Sequence, residues 1–216
     1  MNNVAIMNAN GIRMILFTAA AAFLSRPQLS AATYITAQKE HVFVQDGIGS
    51  TVADPTNPFQ FYAQSPLAGG FTPPGGTSAA LVFIPSTNKY EYLKYFSTQA
   101  QLDASYPDGS YTFSVTGSPS FNLSLTGDDY PNTPEVTNGT WNASGDYVID
   151  PTQNATLTFN TFSAYGTTPV GSYMQVSITG FDSNTVDLVQ SSVTPTNESP
   201  FTSFSIPAGT LAPGSI

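Results

Sequence analysis

Along most of this chain apolar and polar residues alternate with a period of two, and there is no cysteine to staple any other arrangement. A period of two sends successive side chains to opposite sides of an extended strand, so one side packs while the other meets water. Val42 and Val44 alternate in HVFVQ, Phe59 and Phe61 in PFQFY, and Leu81 and Phe83 in ALVFI. Tyr111, Phe113 and Val115 alternate against Thr112 and Ser114, and Phe121, Leu123 and Leu125 against Asn122 and Ser124. Later come Leu157 with Phe159, Met174 with Val176 and Ile178, Val186 with Leu188, and Phe204 with Ile206. Turn residues divide the runs: Asp46 and Gly47, Gly69 and Gly70, Pro73 to Gly76, Pro107 to Gly109, Gly117 to Pro119, Gly180 and Pro207. Many short half-buried strands with such punctuation predict an all-β chain of antiparallel sandwiches. Helical signal after the leader is confined to residues 97–106 (STQAQLDASY), with Ser97 as the expected cap and Pro107 and Gly109 as the stop.

The N-terminus reads as a secretory signal. Arg13 supplies a positive charge, residues 14–24 (MILFTAAAAFL) an apolar core, and Ser30, Ala31 and Ala32 a small-residue cleavage site after Ala32 or Ala31. The apolar run is shorter than the ~20 residues that span a bilayer, and Arg26 and Pro27 close it off. Residues 1–32 are thus expected to be a leader. Residues 33–130 form a first domain and residues 131–216 a second, divided near DDYPNTP at 128–134, where two prolines interrupt the alternation.

Charge excludes one class of partner. Of the five basic residues, Arg13 and Arg26 leave with the leader, so Lys39, Lys89 and Lys94 face all 14 acidic residues, a net charge of −11. A chain this acidic repels phosphate backbones, which argues against nucleic acid. The lack of cysteine excludes thiol nucleophiles and thiolate metal sites, and favours a bacterial export route over a eukaryotic one. Sequons at Asn122, Asn138, Asn142, Asn154 and Asn197 follow from a composition rich in Asn, Ser and Thr, and are glycosylation candidates only in a eukaryotic source.

Two segments share a local design: LDASYPDGSYTFSV at 102–115 and IPAGTLAPGSI at 206–216. Each places a Pro and Gly turn where a strand should follow. This resembles the corner before the sixth strand of fibronectin type III-like and immunoglobulin-like sandwiches, where a Leu, a Pro-Gly turn and a Tyr precede a central strand. In the first segment Tyr111 takes the tyrosine's place, and residues 111–116 and 120–126 would be the last two strands. In the second, Leu211, Pro213 and Gly214 match, and no tyrosine follows before Ile216. The stretch 141–162, with its TLTFNTF strand, looks like the opening of such a domain. The resemblance implies modules of repetitive exported bacterial proteins, and a second module lacking its last two strands in this fragment. It speaks to architecture more than to function.

Candidate chemistry is sparse. His41, the only histidine, follows Glu40 on an apparent strand with no nucleophile pattern nearby, and reads as a half-buried or surface residue. No G-x-S-x-G elbow, H-E-x-x-H or phosphate-binding glycine loop is present. The carboxylate pairs Asp128 with Asp129, Asp146 with Asp150, and Asp182 with Asp187 sit beside Gly, Pro or Asn, the setting of solvated turns rather than of a glycosidase pair. Asp182, Asn184 and Asp187 form the best set of hard oxygen ligands for calcium but lack full loop spacing. Tyr90, Tyr92 and Trp141 are candidates for stacking on sugars, with Tyr95 and Phe96 close by; core filling is the plainer reading. The expectation is a non-enzymatic exported module pair without cofactor: an adhesion, spacer or surface-structural segment of a larger bacterial protein. Polysaccharide or other surface proteins are its expected partners, and the periplasm, cell surface or medium its location. The alternative is a carbohydrate-binding accessory region of an exported hydrolase.

Overall fold

The computed structural model describes residues 5–7, 35–125, 132–133, 135–161, 173–178, 188–193 and 202–211. The apolar core and cleavage site of the expected leader, the boundary residues 128–131, the ligand set Asp182, Asn184 and Asp187, and the turn residues Pro213 and Gly214 lie outside these. Almost every element is a strand. In chain order they are β1 Ala5–Met7, β2 Thr36–His41, β3 Phe43–Gln45, β4 Thr51–Ala53, β5 Phe59–Ser65, β6 Gly69–Thr72, β7 Ala79–Ala80, β8 Val82–Ile84 and β9 Lys89–Phe96. The helix α1 Gln99–Ser105 comes next. Then follow β10 Gly109–Val115, β11 Phe121–Leu125, β12 Thr140–Trp141, β13 Tyr147–Ile149, β14 Ala155–Thr158, β15 Tyr173–Ile178, β16 Leu188–Val193 and β17 Ser203–Ile206.

The first unit is two four-stranded antiparallel sheets, ordered β2-β5-β9-β8 and β11-β10-β6-β7. Alternation decides which side of each strand packs. Phe61 and Ala63 of β5 and Phe96 of β9 face Phe71 of β6, Tyr111 and Phe113 of β10, and Leu123 and Leu125 of β11 in one buried cluster. Rings from the two sheets touch: Phe61 lies 5.4 Å from Phe71 and 5.7 Å from Tyr111 between centroids. The chain crosses from one sheet to the other through α1, whose Leu102 is fully buried. Its cap is Thr98, not Ser97: the Thr98 side chain accepts from the Gln101 N–H (3.3 Å). Tyr106 follows, stacked on Phe61 at 4.0 Å. The Tyr111 hydroxyl then donates to the Pro107 carbonyl (2.9 Å), tying the start of β10 to the turn before it.

Strand β2 departs from the alternating pattern, being buried on both sides from Thr36 to Glu40. Thr36 Oγ1 is buried there without a hydrogen-bond partner, but the more polar Gln38, Lys39 and Glu40 each find one. Glu40 accepts from Gln38 Nε2 (2.7 Å) and from Gln60 Nε2 of the neighbouring strand. Lys39 pairs with Phe61 across the ladder and therefore shares its core side. Its ammonium reaches Asp103 of α1 (2.8 Å) and Asp108 of the following turn (3.0 Å).

The second unit gathers around Val136, Tyr147, Ile149, Leu157, Phe159, Val176, Phe204, Ile206 and Leu211. Strand β14 pairs antiparallel with β17, and on its other side Phe159 bridges to Val136. Strands β15 and β16 form a hairpin, and β13 lies between β12 and β1. Strand β1 falls within the expected leader. Between β2 and β5 the chain makes a separate hairpin, β3 with β4, which reaches the second unit. There Gln45 Nε2 donates to the Val136 carbonyl (2.8 Å), and the Val136 N–H donates to Gln45 Oε1 (2.8 Å).

Candidate functional surfaces

Strand β9 sorts the aromatic candidates by register. Tyr90 and Tyr92 share one side of it, as alternation requires, and that side is the core side. Tyr92 lies edge-on to Phe71 (5.2 Å, 81°), and its hydroxyl meets that of Tyr106 (2.7 Å). Tyr90 leans on Phe83 (5.2 Å) at the rim. Trp141 belongs to the other unit, packed against its core and edge-on to Tyr147 (5.3 Å, 86°). The three candidates are thus not brought together: two pack in the first core and one against the second.

The opposite face of the same sheet carries a group the sequence reading did not single out. Tyr62 pairs with Leu93, Gln60 with Tyr95, and Gln64 with Glu91, which in turn pairs with Val82. Direct partners project to the same side. Tyr95 is 42% exposed, Leu93 43% and Val82 62%. Amides and charges line this strip: Tyr62 donates to Gln64 Oε1 (3.2 Å), Lys89 Nζ to the same oxygen (3.0 Å), and Thr87 to Glu91 Oε1 (2.5 Å). Burial, then the neighbouring Glu91 and Glu40, push the Tyr62 phenol well above its ordinary pKa. The only signal for this face in the sequence was the odd-numbered set of β9, and reading it required the register against β5.

His41 is a packed ring: it stacks on Phe59 (4.4 Å, 17°) and tilts against Phe43 (4.1 Å), and burial lowers its pKa. Of the carboxylate pairs, Asp146 with Asp150 lies among the described residues. Asp146 is buried and accepts from Asn142 Nδ2 (2.8 Å), while its own N–H donates to Asn142 Oδ1 (2.9 Å), which closes the turn between β12 and β13. Asp150 is exposed and caps its own turn through the Thr152 N–H and hydroxyl, which hold its pKa below the usual value. Each carboxylate is occupied with turn geometry. Among the described residues no three His, Cys, Asp or Glu side chains gather as a metal-holding set. Among them, too, no helix is long and apolar enough to cross a membrane. Compared with known proteins, the chain matches no family model, no curated protein and no solved structure.

Proposed function

We propose that this chain is a pair of immunoglobulin-like or fibronectin type III-like modules that serves, without catalysis, as a spacer or surface-structural segment of a larger exported bacterial protein. One observation carries the reading: the strand order of the first unit, part of which the second repeats. In the first, β2-β5-β9-β8 opposes β11-β10-β6, the order in which the first, second, fifth and fourth strands of such a sandwich face its last, sixth and third, with β7 added at the edge. Tyr111, bonded to Pro107 at the corner before β10, occupies the place of the tyrosine corner. In the second, the Val136 bridge, β14 and β17 repeat the order of first, second and fifth strands. Such modules in tandem would suit a chain that sets distance or presents a surface. Fold alone does not name an activity, so the context of the gene is the test. Further modules of this plan and a C-terminal sorting signal in the encoding reading frame are expected. A catalytic domain beside them would overturn the reading.

A second reading, a carbohydrate-binding accessory region, gains support from the outer face of the β2-β5-β9-β8 sheet. Tyr62, Leu93 and Tyr95 offer a flat apolar strip flanked by Gln64 and Glu91, the mixture of ring faces and amide or carboxylate groups that suits a sugar chain. Affinity electrophoresis in plant and microbial polysaccharides, with Tyr95→Ala, Tyr92→Ala and Trp141→Ala, separates the two. Retardation abolished by Tyr95→Ala favours this reading, and unretarded migration in every gel ends it.

A further inference from the structure

We infer that the β3–β4 hairpin is a splint that locks the two units into one rigid body, with Gln45 as its fastening. The inference deepens the spacer reading and rests on it for its use. The starting point is the ladder between Val136 and β14. The Thr137 N–H donates to Thr158 O (2.8 Å) and the Asn160 N–H to Glu135 O (3.1 Å), so these bonds flank the Val136–Phe159 pair rather than join it. In an antiparallel ladder that pattern turns the N–H and C=O of Val136 away from β14, toward the open edge of the sheet. Val136 is nevertheless buried, so both groups need partners. The Gln45 side chain is a primary amide with one donor end and one acceptor end. It meets the two groups at 2.8 Å each, as the peptide of another strand would. A side chain of the first unit thus completes the edge of the second.

The rest of the hairpin is shaped for the same contact. Gln45 Nε2 also donates to Gly47 O (2.8 Å), the Ser50 hydroxyl donates to Asp46, and the Gly49 N–H donates to the Glu135 carboxylate beside Val136. The turn between β12 and β13 approaches the same hairpin at Asp46. Gly145 is buried at φ +82°, and a Cβ there would lie 2.7 Å from the Cβ of Asp46. Only glycine fits this approach, on both conformational and steric grounds. Hairpin tip, Val136 edge and Gly145 turn therefore form one seam between the units.

The test uses the full chain, isotope-labelled, in weakly aligned solution. Amide dipolar couplings from residues 59–125 and 140–158 are expected to fit a single alignment tensor in the wild-type protein. In Gln45→Ala the two sets should require separate tensors, and the Val136 amide should exchange roughly tenfold faster or more, as expected when a buried donor loses its acceptor. Gln45→Glu, which keeps the size and the acceptor and, ionised at neutral to alkaline pH, has no donor for Val136 O, should behave there like Gln45→Ala. It also provides the test if the alanine variant does not fold. Unchanged shifts at Leu123 and Phe204 report that each core is intact. Two tensors in the wild-type protein, or one tensor in both variants, would overturn the splint. Flexible spacers also exist, so that failure would leave the spacer reading standing; discovery of a catalytic neighbour would do the reverse.

Discussion

Gln45 and Val136, 91 residues apart, are joined through both ends of one side-chain amide, each bond 2.8 Å long. Removing the amide strands two backbone groups at a buried position. Each stranded group costs about 1–3 kcal/mol before water enters, and access from the seam recovers part of that. Gln45→Ala is therefore expected to destabilise the second unit by about 2 kcal/mol. Trp141, the only tryptophan, packs against that unit's core, so its fluorescence in a urea titration reads the change directly. An unshifted midpoint would mean that water replaces the amide at no cost.

The Tyr111 corner joins a hydrogen bond to a buried ring. Tyr111 is fully buried, and its hydroxyl holds the Pro107 carbonyl. Tyr111→Phe keeps the ring packing and loses the bond, so about 1 kcal/mol should go from the first unit. Phe61→Ala, by contrast, opens a void beneath Tyr106 and Phe71 and should cost about 3–5 kcal/mol. Denaturation followed by circular dichroism should rank the two variants in that order.

Lys39 fastens β2 to α1 and to the turn after it. Its side chain is 5% exposed, while those of Asp103 and Asp108 are 35% and 42% exposed. Solvent takes up the loss of either carboxylate easily, but the buried ammonium does not tolerate losing both. Asp103→Asn and Asp108→Asn should each cost under about 1 kcal/mol, and the double variant about 2–3 kcal/mol. A double-mutant cycle checks this, and strict additivity would contradict a shared ammonium.

His41 should make the first unit weaker in mild acid. Burial between Phe43 and Phe59 lowers its folded pKa below the unfolded value of 6.5, so the unfolded chain binds the proton more readily. Its contribution is complete above pH 6.5 and is lost as pH falls through that value toward the lowered folded pKa. Melting temperatures at pH 5 and pH 7.5 should differ more in the wild-type protein than in His41→Phe. Equal differences would remove His41 as the cause.

Export predicts a processed N-terminus. Expressed in a bacterium with its leader, the chain recovered outside the cytoplasm should begin at Thr33, one residue after Ala32, by intact mass. Strand β1 would then be absent, leaving β13 paired with β12 alone on that sheet. Retention of the full mass in the cytoplasm would exclude the leader.

Much of the strand set was legible in the alternation, because a side chain's face depends only on its parity along the chain. Residues 111–115 and 121–125 fall on β10 and β11, and the alternating Tyr111 and Phe113 are buried. Parity failed where neighbours changed the environment. Gln38, Lys39 and Glu40 are consecutive and all buried, because Gln38 and Gln60 satisfy Glu40, and Asp103 and Asp108, 64 and 69 residues away, satisfy Lys39. Phe83 read as core, yet it sits 45% exposed on the edge strand β8. The aromatic candidates show the same division. The sequence placed Tyr90 and Tyr92 on one side of a strand, but only the pairing of β9 with β5 decided that this side was the core and that Tyr95 faced out.

By itself, then, the sequence determined the all-β character, since period-two burial and turn residues are local properties. Only the tertiary structure decided the sheet order, the two-sided burial of β2 and the seam at Val136. Each of these depends on which distant residue satisfies a hydrogen bond or fills a volume, and no local pattern in the chain encodes that choice.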